Sequence, residues 1–237
     1  DAESRVVFLL QPLASQFPEG AYTEDILRTH LSPHGLFQGV GEFGLFRPEY
    51  AAINFDGPEM QAVFRAVNEA QGVVMIHPPN PPGGNERPGR KWGPQDAVAL
   101  EAALLTYPKA TFLFHSGSVS FEKNILSLIS DYTNVYYTFD ATHMFAEAGV
   151  SNYSIPEGPE AAKQWIANVN QVGLDTIIED NLRRSAPWFQ QHPDRIVWGT
   201  DRAGEWMFDE SATELFTELS RKFIAGLPAE VQEDYAF

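Results

Sequence analysis

Short apolar runs alternate along the whole chain with segments of helical periodicity. Six runs are rich in β-branched and aromatic residues and are bounded by turn formers, which is typical of buried parallel strands. These runs occupy residues 5–10, 38–45, 72–77, 111–115, 134–140 and 195–201. Helical signals lie between them, at 24–30, from Pro58, from Pro94, around 121–129, from about Pro159 to Gln191, and after Ser211.

Two of the helical segments carry specific signals. After Pro58, an apolar face is formed at helical spacing by Met60, Val63, Phe64 and Val67. The segment Ser211–Glu214 has the spacing of a capping box, which predicts that the last long helix begins there.

The alternation of strands and helices predicts an α/β fold with a parallel sheet. The periodicity alone leaves two architectures open, a (β/α)₈ barrel of the TIM type and an open doubly wound sheet. A chain of 237 residues with 43% hydrophobic residues can bury one large core. We therefore expect a single domain over residues 1–237, with a lid loop at residues 78–93, which are rich in proline and glycine.

Polar side chains end several of the predicted strands. His77, His115 and Asp201 each follow an apolar run. Because the carboxyl ends of parallel strands meet at one edge of a sheet, these three side chains suggest one shared site. Glu42 lies on a similar run, and Asp140 ends another, with His143 close behind it.

Imidazole and carboxylate groups are common ligands of divalent metal ions. The chain has no cysteine, so any metal must take His and carboxylate ligands. Asp201 could bind a metal and accept a proton from water. Glycines on both sides of Glu42 suggest crowding near a ligand. Asp140 could orient a ligand histidine, and His143 is a second candidate for such a supporting role.

Each of these residues also has a structural interpretation. A histidine at a strand end can be a core residue that is hydrogen-bonded to the backbone. Asp201 can cap a helix or form an ion pair with Arg202, and Glu42 can be a surface carboxylate. Asp140 and His143 can be ordinary loop residues.

A basic cluster stands within the proposed lid. Arg87, Arg90 and Lys91 could clamp a carboxylate or phosphate of the substrate, with Trp92 as an apolar wall, and Arg202 is a further candidate for substrate binding. The alternative interpretation of the lid residues is a solvated charge cluster.

The acidic composition limits the classes of partner. A formal net charge of −16 argues against nonspecific binding to nucleic acid or to anionic membranes, which both require clustered Lys and Arg. The sequence has no apolar stretch of 18 residues, so we expect no transmembrane helix. We expect a soluble protein that acts on a small molecule. The compartment, cytoplasmic or periplasmic, and the formation of a homo-oligomer stay open.

Several motifs resemble the amidohydrolase superfamily of metal-dependent barrel hydrolases. Ile76–Pro78, Phe114–Gly117, Tyr137–Asp140 and Arg195–Asp201 occur in the order seen in its amidohydrolase-related branch, which includes the aminocarboxymuconate-semialdehyde decarboxylases. Gly39–Leu45, together with the two histidines and Asp201, also resembles the TatD-type nucleases. The resemblance covers about residues 5–235.

The resemblance implies a distorted (β/α)₈ barrel with a divalent metal, zinc or alternatively manganese or iron. It implies that His77 and Asp201 are metal ligands and that His115 is a ligand or a catalytic histidine. Glu42 would be a ligand on the TatD-like alignment. Water activated by the metal would attack an amide, lactone or ester, with Asp201 shuttling the proton.

The family's first strand ends in a His-x-His pair, and this sequence has no such pair. We expect the strand that carries it to precede Asp1. The alternative is a barrel that lacks this strand and half of its metal site. The leading hypothesis is a metal-dependent hydrolase. The alternatives are a metal-dependent decarboxylase of the same superfamily and a catalytically silent barrel that binds a ligand or a partner.

Overall fold

A computed structural model of the chain describes residues 9–10, 24–31, 37–44, 53–77, 94–115, 119–150, 158, 160–202 and 204–235. The chain divides into two compact units, Asp1–Tyr137 and Thr138–Phe237, which we call unit 1 and unit 2. The boundary falls within a strand that contributes residues to both units. The single domain expected from the sequence stays a prediction.

The strands alternate with helices along the described residues. The strands are β1 (Leu9–Leu10), β2 (Gly39–Gly44), β3 (Val73–His77), β4 (Thr111–His115), β5 (Val135–Asp140) and β6 (Ile196–Gly199). The helices are α1 (Glu24–His30), α2 (Pro58–Ala70), α3 (Pro94–Thr106), α4 (Val119–Asp131), α5 (Ala141–Glu147), α6 (Ala161–Val172), α7 (Leu174–Gln191), α8 (Glu210–Gly226) and α9 (Ala229–Tyr235). A 3₁₀ helix spans Glu205–Phe208.

In unit 1 the strands are neighbours in the order of the sequence. β1 pairs with β2, β2 with β3 and β3 with β4, all in parallel. The first half of β5 follows β4. A doubly wound sheet reverses its strand order at one point, whereas a (β/α) barrel adds its strands in sequence. The order in unit 1 is therefore of the barrel kind.

Helix α2 covers this sheet with the apolar face predicted from the sequence. Met60, Val63, Phe64 and Val67 are all buried. The ring of Phe64 lies 5.3 Å from that of Phe112 on β4 and 5.8 Å from that of Tyr107. These contacts place an aromatic core directly beneath the strands that end in His77 and His115.

In unit 2 the second half of β5 lies beside β6. A Cβ on Gly199 of β6 would lie 2.9 Å from Cγ2 of Thr138, so only glycine permits this approach of the two strands. The rings of Phe139 on β5 and Trp198 on β6 both contact Phe223 of helix α8. This second aromatic core supports the strand ends that carry Asp140 and Asp201.

The predicted start of helix α8 was wrong by two positions. The N-cap is Asp209, and its Oδ1 accepts hydrogen bonds from both the backbone N–H and the hydroxyl of Ser211. Ser211 therefore lies inside the first turn instead of capping it. The helical signal over residues 159–191 corresponds to two helices, α6 and α7, which are separated by Gly173 with a φ of 91°.

Two further expectations from the sequence concern a transmembrane helix and the lid loop. Within the described residues, no helix combines the length and the apolar character needed to cross a membrane. The lid expected at residues 78–93 lies outside the described residues.

Candidate active site

His77 and His115 lie side by side at the ends of two adjacent strands of unit 1. The parallel register pairs Ile76 with Phe114, so the next residues of β3 and β4 are neighbours. The two imidazole rings are 5.9 Å apart, with an angle of 70° between their planes. His115 is buried and His77 is half-buried. This arrangement allows both rings to present nitrogen atoms on the same side of the sheet edge.

Glu42 lies on the neighbouring strand β2 and is half-buried. Gly44, two residues later, is in register with His77. The crowding inferred from the flanking glycines exists, but its cause at Gly41 is the adjacent strand. A Cβ on Gly41 would lie 2.5 Å from the Cβ of Met75. Gly41 therefore permits strand packing and is not a sign of a ligand.

Unit 2 brings two carboxylates together. Asp140 ends β5 and is completely buried, and Asp201 follows β6 and is half-buried. A carboxylate oxygen of Asp140 lies within 4.8 Å of one of Asp201. Like charges at this distance repel each other, and a cation between them relieves that repulsion. The pair is therefore suited to hold a positive ion.

Asp140 also has a structural role, because it is the N-cap of helix α5. Its Oδ1 accepts a hydrogen bond of 2.7 Å from the backbone N–H of His143. A carboxylate has about four acceptor positions, so this bond leaves capacity for a metal ion. Capping and metal binding are compatible in one side chain.

The backbone of Asp201 is held by Thr142, a residue that the sequence analysis missed. The Thr142 hydroxyl lies 2.8 Å from the carbonyl oxygen of Thr200 and 2.9 Å from that of Asp201. Thr142 is buried, and Asp201 has a φ of 47° in the left-handed region. The contact joins residues 59 positions apart, so no local sequence pattern reveals it.

The side chain of His143 pairs with a carboxylate of its own helix. Its Nε2 lies 3.1 Å from Oε1 of Glu147, one turn later on α5. Glu147 also pairs with Arg184, whose guanidinium donates to Oδ1 of Asn181 at 2.7 Å. The network anchors α5 to α7. The supporting role that we expected for His143 at the site stays a prediction.

The side chain of Arg202 packs within unit 2. Its guanidinium donates to Oγ1 of Thr213 at 3.0 Å and lies 4.7 Å from the centre of the Phe208 ring. These contacts tie the segment after Asp201 to helix α8. Substrate binding by Arg202 stays a prediction. The other substrate-binding candidates, Arg87, Arg90, Lys91 and Trp92, lie outside the described residues.

Solved structures resemble this chain in fold, whereas the comparisons of its sequence with known proteins find no match. No protein-family model matches the chain. No curated protein matches its sequence. A solved dihydroorotase from Saccharomyces cerevisiae, in complex with 5-fluoroorotic acid, matches 97% of this chain with a TM-score of 0.51 and 14% identity. A 5-carboxyvanillate decarboxylase from Sphingomonas paucimobilis matches 98% of it with a TM-score of 0.44 and 12% identity.

The chain shares its fold with a dihydroorotase. It spans 67% of that chain and 64% of the decarboxylase chain. The predicted α/β fold of the TIM-barrel class is thereby confirmed. At 14% identity, the likeness to the dihydroorotase is one of fold alone.

Proposed function

We propose that this protein is a metal-dependent hydrolase that acts on a small amide, ester or lactone. The observation that carries the proposal is the close pair of carboxylates, Asp140 and Asp201, at the ends of two strands of unit 2. Parallel α/β enzymes place their catalytic groups at such strand ends. The fold shared with a dihydroorotase adds support.

The residues present fit a divalent cation by their chemistry. We propose Asp201 and His77 as ligands, with His115 as a further ligand or as a catalytic histidine beside the ion. Asp140 is added because of its closeness to Asp201. Glu42 joins the set if the TatD-like alignment holds. Imidazole and carboxylate groups together suit zinc, manganese and iron, and the absence of cysteine excludes a thiolate site.

A divalent cation held by these groups would supply a nucleophile at physiological pH, because such a cation lowers the pKa of water towards neutrality. The contribution of Asp201 is to accept the proton of that water and to return it to the leaving group. Asp140, held by its bond to the His143 N–H, contributes a fixed negative charge beside Asp201. His115, which is buried, would orient the group under attack as the histidine beside the ion.

Metal content of purified full-length protein tests the proposal. We expect about one equivalent of zinc, manganese or iron per chain, as a catalytic site with His and carboxylate ligands holds. His77→Ala and Asp201→Asn should each remove the metal or abolish turnover. The matched controls are His30→Ala, on the exposed surface of α1, and Asp194→Asn, whose side chain is 76% exposed. Both controls should keep the metal.

The outcomes separate the three functions considered. An absence of metal that persists after adding each ion contradicts both enzymatic functions and leaves a silent, ligand-binding barrel. Retained metal and turnover in both site variants rejects the residue assignment. With metal bound, an acidic product without release of carbon dioxide identifies a hydrolase, and carbon dioxide release identifies the decarboxylase alternative.

A further inference from the structure

The first turn of helix α5 contacts both residues of the Asp140–Asp201 pair. The side chain of Asp140 is fixed at its N-cap by the hydrogen bond from the His143 N–H. Two residues after Asp140, the hydroxyl of Thr142 contacts the carbonyl groups of Thr200 and Asp201. One turn of helix therefore holds the side chain of one aspartate and the backbone of the other.

The contact with Thr142 constrains both backbone torsions of Asp201. The Thr200 carbonyl belongs to the peptide before the Asp201 Cα, and the Asp201 carbonyl belongs to the peptide after it. Asp201 has a φ of 47°, a left-handed conformation that is unfavourable for residues with a Cβ. Because both flanking peptides are tied to one buried hydroxyl, the direction of the Asp201 Cα–Cβ bond is set by Thr142.

We propose that Thr142 is a positioning residue of the metal site, which sets the place of the Asp201 carboxylate relative to Asp140. This inference rests on the proposed function, since Thr142 acts on the metal only through Asp201. The chemistry required is a hydroxyl, because its single hydrogen is shared by two carbonyl acceptors. Serine supplies the same donor, whereas valine has the same shape and no donor.

Metal binding by variants of Thr142 tests the proposal. Thr142→Val should weaken zinc binding by about 10–100-fold, the effect typical of losing a group that orients a ligand. The visible absorption of the cobalt-substituted protein should change with it. Thr142→Ser should restore both the affinity and the spectrum. The control is Thr217→Val, which removes an exposed hydroxyl that bonds the Thr213 carbonyl at 2.8 Å, and it should bind zinc like the wild type.

Equal zinc affinity and equal cobalt spectra for Thr142→Val and the wild type overturn the proposal, as does a Thr142→Ser variant as weak as Thr142→Val. If the wild type binds no metal, the proposed function fails, and metal-free crystal structures then decide the positioning role. There Asp201 should lose its positive φ in Thr142→Val and keep it in Thr142→Ser. If Asp201 keeps its positive φ in Thr142→Val, the proposal is overturned. If Thr142→Val does not fold, Thr142→Ala takes its place in each of these experiments.

Discussion

The side chain of Asp209 determines where helix α8 begins. Its Oδ1 accepts a hydrogen bond of 2.5 Å from the Ser211 hydroxyl and one of 3.0 Å from the Ser211 N–H. These bonds, first from the hydroxyl and then from the backbone, lower the pKa of the Asp209 carboxyl from its ordinary value of 3.8. The ionised carboxylate is therefore favoured in the folded protein, where it satisfies the start of the helix.

Replacing Asp209 should give a stability loss that depends on pH. At neutral pH, Asp209→Ala should lower the Tm by a few degrees, because the first turn loses its cap. Since the folded pKa is lowered, the contribution of the carboxylate is complete above pH 3.8 and is lost as the pH falls through the lower folded value. The difference between wild type and Asp209→Ala should therefore shrink in acid.

Thermal unfolding followed by circular dichroism, from neutral pH to below the folded pKa, measures this difference. Asp209→Asn keeps an acceptor oxygen that does not titrate, so it should retain much of the cap at neutral pH without the acid dependence. A gap between wild type and Asp209→Ala that stays constant down to the acid limit would contradict the assignment of Asp209 as the cap.

At the scale of elements, helix α8 is fixed to the strands of unit 2 by one buried ring. Phe223 lies 5.5 Å from Phe139 on β5, 4.8 Å from Trp198 on β6 and 5.6 Å from Phe189 on α7, measured between ring centres. Phe139 directly precedes Asp140, and Trp198 lies three residues before Asp201. The packing of α8 therefore supports both strand ends that carry the carboxylates.

Phe223→Ala should destabilise the protein by about 3–5 kcal/mol, because the deleted ring leaves a cavity between three elements. Phe223→Leu should cost less, since it fills part of that cavity. Urea unfolding measures both values. The control is Phe208→Ala, because Phe208 is 60% exposed and its removal opens no cavity. A loss for Phe223→Ala no larger than that of the control would show that this cluster is not a packed core.

The sequence predicted the elements whose signal is local. Strands β2 to β6 lie within the apolar runs, and the face of α2 is buried as its spacing indicates. The seven-residue helices α5 and α9 were missed, although the equally short α1 was predicted. Seven residues span only about two helical turns, which is too little periodicity for a dependable prediction. At the site, the strand-end positions of His77, His115, Asp140 and Asp201 were readable from the chain. The role of Thr142 was not, because it depends on a contact between distant residues.

At the scale of the whole molecule, a net charge of −16 produces self-repulsion in the compact state. Any added salt weakens this repulsion by screening and raises the stability somewhat. A divalent ion has a second effect if it binds a site that exists only in the folded protein. Metal-dependent stabilisation is therefore meaningful only relative to potassium chloride of matched ionic strength.

A metal ion at one hundred times its Kd should stabilise the folded chain by about 2.7 kcal/mol. For a protein of this size that corresponds to a rise in Tm of roughly 5–10 °C. Differential scanning calorimetry is carried out with zinc, with matched potassium chloride and after chelation. The comparison separates the rise in Tm that is due to bound zinc from the rise that is due to salt. Asp201→Asn should lose the rise in Tm that is due to bound zinc. It should keep the response to salt, because one substitution among 32 acidic residues barely alters the electrostatic field of the protein. If zinc raises the Tm of this variant as much as that of the wild type, the stabilising ion binds elsewhere on the acidic surface, and the Asp140–Asp201 pair is not its site.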